Sequence, residues 1–182
     1  METAFAWIGQ IASWLGAFFP RWVILDTTEG AIKYVRGMPK LCDPGRIHWH
    51  WPVTTTWAPY PVARQTDRLE TQTMETTDGK TFVVAGTITY SVTDLMALVT
   101  TTHSPTANTR ELAASAVHDI CCDFTWDELQ TEQRKGTLKT KLRNEAQRQL
   151  ADYGVKVIKL QLTSLARARV LRVAQSTANE ET

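Results

Sequence analysis

The chain has 182 residues, of which 43% are hydrophobic and 21% charged, with a net charge of +1. That length supports one domain with a substantial core, or two small lobes. The near-neutral charge excludes the long-range field that gathers nucleic acid or acidic partners. Its three cysteines, Cys42 and the adjacent Cys121 and Cys122, form no disulfide framework and fit a reducing compartment.

Residues 5–19 read FAWIGQIASWLGAFF, without a charge, and Pro20-Arg21 close the run. On a helix, Trp7, Ile8, Ile11, Trp14, Leu15, Phe18 and Phe19 share one face, and Ala6, Gly9, Gln10, Ser13, Gly16 and Ala17 share the other. At about 1.5 Å per residue such a helix is about 22 Å long, short of the roughly 30 Å hydrocarbon core. No Lys or Arg precedes the run and no small-residue cleavage site follows it, so a secretory signal is not expected. Three arrangements remain open. The segment lies in the membrane interface with its bulky face down, it enters as a longer kinked insertion with Trp22 to Leu25, or it is an ordinary core helix. Burying seven large side chains is worth on the order of 10 kcal/mol gross, which favours lipid over water for a free N-terminus.

Val23 to Leu25 is a short β-prone run, Thr27 to Gly30 a turn, and Ala31 to Val35 a strand. Gly37, Pro39 and Pro44-Gly45 are expected to break the chain, and Pro59 and Pro61 to keep the next stretch irregular. Between these breaks Ile47, Trp49 and Trp51 alternate with His48 and His50, which puts aromatics and histidines on opposite sides of an extended segment.

The stretch from Asp67 to Val92 is a β-hairpin around Asp78-Gly79. Its second limb carries Phe82, Val84, Ile88, Tyr90 and Val92 at a period of two, with Gly86 keeping the beat. A lone hairpin is marginal in water, so other elements must cover its apolar face.

Asp94 starts a short helix with Leu95, Leu98 and Val99, and residues 100–109 read as a polar loop. Leu112, Ala113, Ala116, Val117 and Ile120 mark a helix from Arg110 to Cys122. Thr125 to Glu128 is a capping box with Phe124 and Leu129 as its hydrophobic staple. A longer helix is expected from about Arg134 to Tyr153, with Leu138, Leu142, Ala146 and Leu150 on its buried stripe, and Gly154 ends it. Val155, Val157, Ile158, Leu160 and Leu162 form a strand with one slip in register. Ser164 is expected to cap a last basic helix from Leu165 to about Gln175. The order predicts an α+β fold: a small curved, antiparallel-rich sheet with helices on one face, an N-terminal membrane-associated helix and a short C-terminal helix.

In order along the chain stand an apolar N-terminal segment, Glu29-Gly30, Val35-Arg36-Gly37, and Pro44-Gly45 through Trp51-Pro52. Then come Thr77-Asp78-Gly79-Lys80 into Ile88 to Val92, Asp94, Arg110, the Thr125 to Leu129 cap, Arg134, and Tyr153-Gly154-Val155 leading to Leu160 and Leu162. This ordered set resembles the band 7 superfamily, the stomatin, prohibitin, flotillin and HflK-HflC (SPFH) domain, over residues 22–173. The resemblance implies a membrane-bound scaffold that assembles into rings or cages and organises lipid and proteins laterally. Some members regulate a membrane protease or channel, and the family domain has no agreed catalytic residues. Family members continue the last helix into a long coiled coil. Here it is expected to stop near Gln175, which favours a flatter ring or small oligomer. The division expected is 1–21 for the anchor helix, 22–163 for the SPFH domain and 164–182 for the last helix and tail.

The candidate residues follow. Trp7, Ile8, Ile11, Trp14, Leu15, Phe18, Phe19 and Trp22 anchor the chain in lipid. Trp49, Trp51 and Trp57 either fill a core or rest at headgroup level, where indole rings are favoured. Arg167, Arg169 and Arg172 meet anionic lipid, pair with Glu on a neighbouring copy, or form a solvated face. Cys42, in a Pro/Gly-rich loop, is the acylation candidate, while Cys121 and Cys122 read as small buried hydrophobes. His48 and His50 lack a third metal ligand nearby, and no P-loop, G-x-G-x-x-G, H-E-x-x-H or G-x-S-x-G occurs, so no catalytic residue, metal or cofactor is assigned. Three functions are carried forward: a membrane-associated self-assembling scaffold, a regulatory module holding a membrane protease or channel, and a soluble oligomeric binding protein. The partners expected are lipid and further copies of the chain, with no nucleic acid. Arg21 after the run and Glu2 before it favour a domain on the cytoplasmic side of the membrane.

Overall fold

The computed structural model describes residues 19–168. The organising strand is β8, Thr81–Val92. Phe82, Val84, Gly86, Ile88 and Tyr90 are buried and the intervening residues are half-exposed, so its alternation maps directly onto one covered face. On one edge it pairs antiparallel with β6, Gln65–Arg68, and β7, Gln72–Glu75. On the other it pairs with β9, Val155–Arg167. The expected first hairpin limb is therefore two strands. Leu69, between them, turns its buried side chain across Gly86 and donates its amide to the Gly86 carbonyl at 2.9 Å. A Cβ on Gly86 would stand 3.4 Å from Leu69 Cδ1 and 3.1 Å from the Gln161 carbonyl, which accounts for the missing side chain.

Strand β9 slips where the sequence predicts, since Thr89 faces Lys159 and Tyr90 faces Val157, leaving Ile158 bulged. A second slip leaves Thr163 bulged, at a place the apolar spacing of the sequence does not mark. The helix expected from Leu165 does not start there. Leu165, Ala166 and Arg167 stay extended against Val84, Val83 and Phe82, because the β8 edge would otherwise go unpaired.

Among the described residues four helices cover the sheet: α1, Leu95–Thr101; α2, Pro105–Cys122; α3, Trp126–Lys135; and α4, Thr137–Leu150. The Asp94 side chain caps α1 by accepting from the Ala97 amide at 3.0 Å. The polar loop expected over 100–109 is shorter, because Pro105 opens α2 at the position where its missing N–H costs nothing. Both halves of the Thr125–Glu128 capping box form at the start of α3. The longer helix expected from about Arg134 begins at Thr137, because Gly136, with a φ of +78°, ends α3 and begins α4. Leu138, Leu142, Ala146 and Leu150 then lie buried along one stripe of α4, as their spacing requires. A 3-10 turn at Ala151–Tyr153 leads to Gly154.

Before this body stands a smaller sheet, ordered β3–β2–β5, with β2 at Glu29–Val35, β3 at Met38–Cys42 and β5 at Thr55–Pro61. Pro39 lies within β3, and Pro59 and Pro61 within β5, where breaks were expected. Both strands are edges, and an edge strand tolerates residues without an N–H donor. Strand β2 is buried on both faces. Ile32 belongs to the main core, and Ala31 joins Leu25, Cys42 and Trp57 in a second, smaller cluster.

Candidate membrane-facing surface

A two-stranded antiparallel ribbon lies over the second cluster, made of β1, Arg21–Ile24, and β4, Ile47–His50. Its register puts Trp22 opposite Trp49 and Ile24 opposite Ile47. Directly paired residues share a face, so these four side chains form one surface. That surface points outward: Trp22 is 68% exposed, Ile24 74%, Ile47 62% and Trp49 57%. The two indole rings touch, with centroids 5.3 Å apart and planes at 59°. Phe19, Trp51 and Val53, in the segments flanking the strands, and Met38 and Leu41 on β3, are exposed as well.

The other face of the ribbon carries the histidines. His48 and His50 lie 5.9 and 6.1 Å from the Trp57 ring, and the His48 Nε2 is 3.0 Å from the Asp43 carbonyl. Lys33 of β2 donates its ammonium to the Trp49 carbonyl, tying ribbon to sheet. The expected alternation of aromatics and histidines is therefore present, with the tryptophans outside and the histidines against the sheet. Trp57 does not share the tryptophan face; it is half-buried on Leu25, Ala31 and Cys42. Cys42 is buried at the end of β3 in that same cluster, where burial raises its thiol above the ordinary range, so it offers no exposed thiolate for acylation. Arg167 is exposed at the end of β9. Trp7, Ile8, Ile11, Trp14, Leu15, Phe18, Arg169 and Arg172 lie outside the described residues.

Sequence reasoning named Trp22 and Trp49 but missed Ile24 and Ile47 as members of the surface. The signal available was alternation in both segments; what joins them is their mutual register. Around the ribbon and small sheet, residues 19–62 carry Arg21, Lys33, Arg36, Lys40 and Arg46 against Asp26, Glu29 and Asp43, a modest basic excess. Among the described residues no helix is long and apolar enough to cross a membrane, and no cluster of three or more His, Cys, Asp or Glu side chains could hold a metal ion.

The groups displaced furthest in acidity serve the fold. Burial, and then the Asp67 carboxylate 3.1 Å from its hydroxyl, raise Tyr90. Burial pushes Cys121 up to about 12. Hydrogen bonds from Lys80, first, and Thr76 hold Asp78 down to about 2.

An antiparallel sheet backed by helices on one face, with a smaller sheet and an apolar ribbon before it, defines an α+β domain whose distinctive surface is the exposed face of that ribbon. The family model described as SPFH domain / Band 7 family matches residues 21–181, and the chain belongs to that family. No curated protein matches it.

Proposed function

We propose that this chain is a non-catalytic, membrane-associated scaffold subunit that assembles with further copies to organise lipid and membrane proteins laterally. The observation carrying this reading is the exposed face of Trp22, Ile24, Ile47 and Trp49, which continues directly from an uncharged apolar segment in the sequence. Large contiguous apolar patches are uncommon on monomeric soluble proteins and mark sites of contact. At about 1.5–3 kcal/mol per large side chain taken fully from water, four such residues give an upper limit of roughly 6–12 kcal/mol for seating the ribbon in lipid. Trp suits the headgroup level, and each nearby Lys or Arg adds about 1 kcal/mol at an anionic surface. Membership of the SPFH family supports the same reading. We place the domain on the cytoplasmic side, which suits free thiols at Cys42, Cys121 and Cys122.

The test is flotation of the full chain with vesicles of phosphatidylcholine and phosphatidylserine. The unchanged protein is expected to float. The pair Trp22→Glu and Trp49→Glu should lower the bound fraction strongly, and Ile11→Asp with Leu15→Asp should do so independently. Undiminished flotation of the tryptophan variant would remove the ribbon from the reading. An unchanged protein that stays with the soluble fraction would favour a soluble oligomer. Loss of binding only when a membrane protease or channel is withheld would favour a regulatory module.

A further inference from the structure

Strand β8 is paired on both edges, but among the described residues the strands beside it, β9 on one side and β6 with β7 on the other, each have one edge left over. The leftover edge of β9 is treated differently along its length. Near its start the Gln147 amide acts as a substitute strand, donating to the Val155 carbonyl at 3.2 Å and accepting from the Val157 amide at 2.8 Å. Arg143 adds a bond to the Val157 carbonyl at 3.4 Å. Lys156 and Lys159 bring charge to this same portion, a common device against edge pairing. Beyond Lys159 these protections stop. Leu160 to Ala166 contains no charged residue, with Thr163, Ser164 and Ala166 exposed, and among the described residues no side chain hydrogen-bonds its backbone.

The opposite outer edge of the same sheet, β6 with β7, has the complementary charge. It carries Asp67, Glu70 and Glu75 against Arg68, while β9 carries Lys156, Lys159 and Arg167 and no acid. The charged ends are also equally spaced. Lys159 and Arg167 stand against Thr89 and Phe82, and Asp67 and Glu75 against Ile88 and Thr81, so each pair spans seven positions of β8. Seven positions are about 24 Å.

We propose that the β6–β7 edge of one copy pairs with the Leu160–Ala166 edge of β9 in the next, continuing one sheet from subunit to subunit. Both edges run antiparallel to β8, so a rotation that preserves strand direction makes them parallel across the seam. Asp67 then comes to the Lys159 end and Glu75 to the Arg167 end. The symmetric alternative, β9 against β9 centred on Thr163, would instead bring Lys159 of each copy to Arg167 of the other. A contact between two different edges is heterologous and propagates into a ring or an open filament.

This inference rests on the self-assembly part of the proposed function and not on its membrane part. The test uses the full chain in mild detergent, with mass measured against concentration and folding checked by thermal unfolding. Glu75→Lys and Arg167→Glu should each raise the dissociation constant for self-association about tenfold or more, since like charges brought together cost more than the 1.4 kcal/mol of one decade. The double reversal should recover assembly. Ser164→Lys, at an exposed position, should block pairing without help from either charge. Assembly unaffected by the single variants, or not recovered in the double reversal, overturns the seam while leaving self-assembly intact. A chain that remains monomeric at all concentrations overturns both.

Discussion

Asp78 sits where the hairpin turn meets the helical layer. Its carboxylate accepts from the Thr76 hydroxyl and, at 3.2 Å, from the Trp126 amide at the start of α3, and pairs with Lys80 at 2.7 Å. The Thr77 amide donates to the Phe124 carbonyl alongside. These bonds favour the ionised form, lowering the group from 3.8 to about 2. A depressed acid stabilises the fold above its ordinary value and loses that contribution as pH falls through its folded one. The gap in thermal midpoint between the unchanged protein and Asp78→Asn should therefore be constant above about pH 5 and close between about pH 4 and 2. A gap independent of pH would show that the carboxylate charge does nothing there. Gly154 is constrained by space as well as by conformation. Its φ is +67°, and a Cβ would stand 2.8 Å from Asp94 Cβ. Its carbonyl accepts from the amides of Thr93 and Asp94 and from the Thr93 hydroxyl. Gly154→Ala should cost at least about 1–3 kcal/mol, measured by denaturant unfolding.

At the scale of elements, the plugged start of β9 makes its own prediction. Gln147→Met keeps the length of the side chain but removes both of its backbone bonds, leaving the Val155 carbonyl and Val157 amide to solvent. A loss of about 1 kcal/mol is expected, together with faster amide exchange at Val157. The elements that were legible beforehand are those whose signal is local. The alternation of Phe82 to Tyr90, the doubled apolar step at Val157-Ile158, the Thr125 box and the Gly154 stop all appear in place. Those misjudged depend on a partner. Pro39, Pro59 and Pro61 signal breaks unless their strands happen to be edges. Leu165 to Arg167 suit a helix as well as a strand until the Phe82–Val84 edge is seen to need them. Gly136 falls between two stretches that each read as helical, so the boundary expected near Arg134 is displaced to the residue with positive φ. The ribbon divides in the same way. Its alternation was visible, but a strand has two equivalent faces until Trp57 is known to lie beneath His48 and His50.

On the scale of the whole molecule, the described apolar residues gather in two buried clusters and on an exposed surface made by the ribbon, its flanks and β3. The main core joins the sheet to its helices, and the small cluster joins β2 to the ribbon. The outward tryptophan face and the two leftover sheet edges occupy different elements, so variants of Trp22 and Trp49 should leave self-association unchanged even where they abolish flotation. Mass measurement of the Trp22→Glu, Trp49→Glu protein in detergent checks this separation.

Strand β2 contributes to both cores at once, with Ala31 turned one way and Ile32 the other. Two neighbouring residues on a stiff backbone cannot shift independently. A load that tilts the ribbon is therefore handed to the helical layer through β2 and also through β5, whose Trp57 packs on the small cluster and whose Tyr60 packs on the main core.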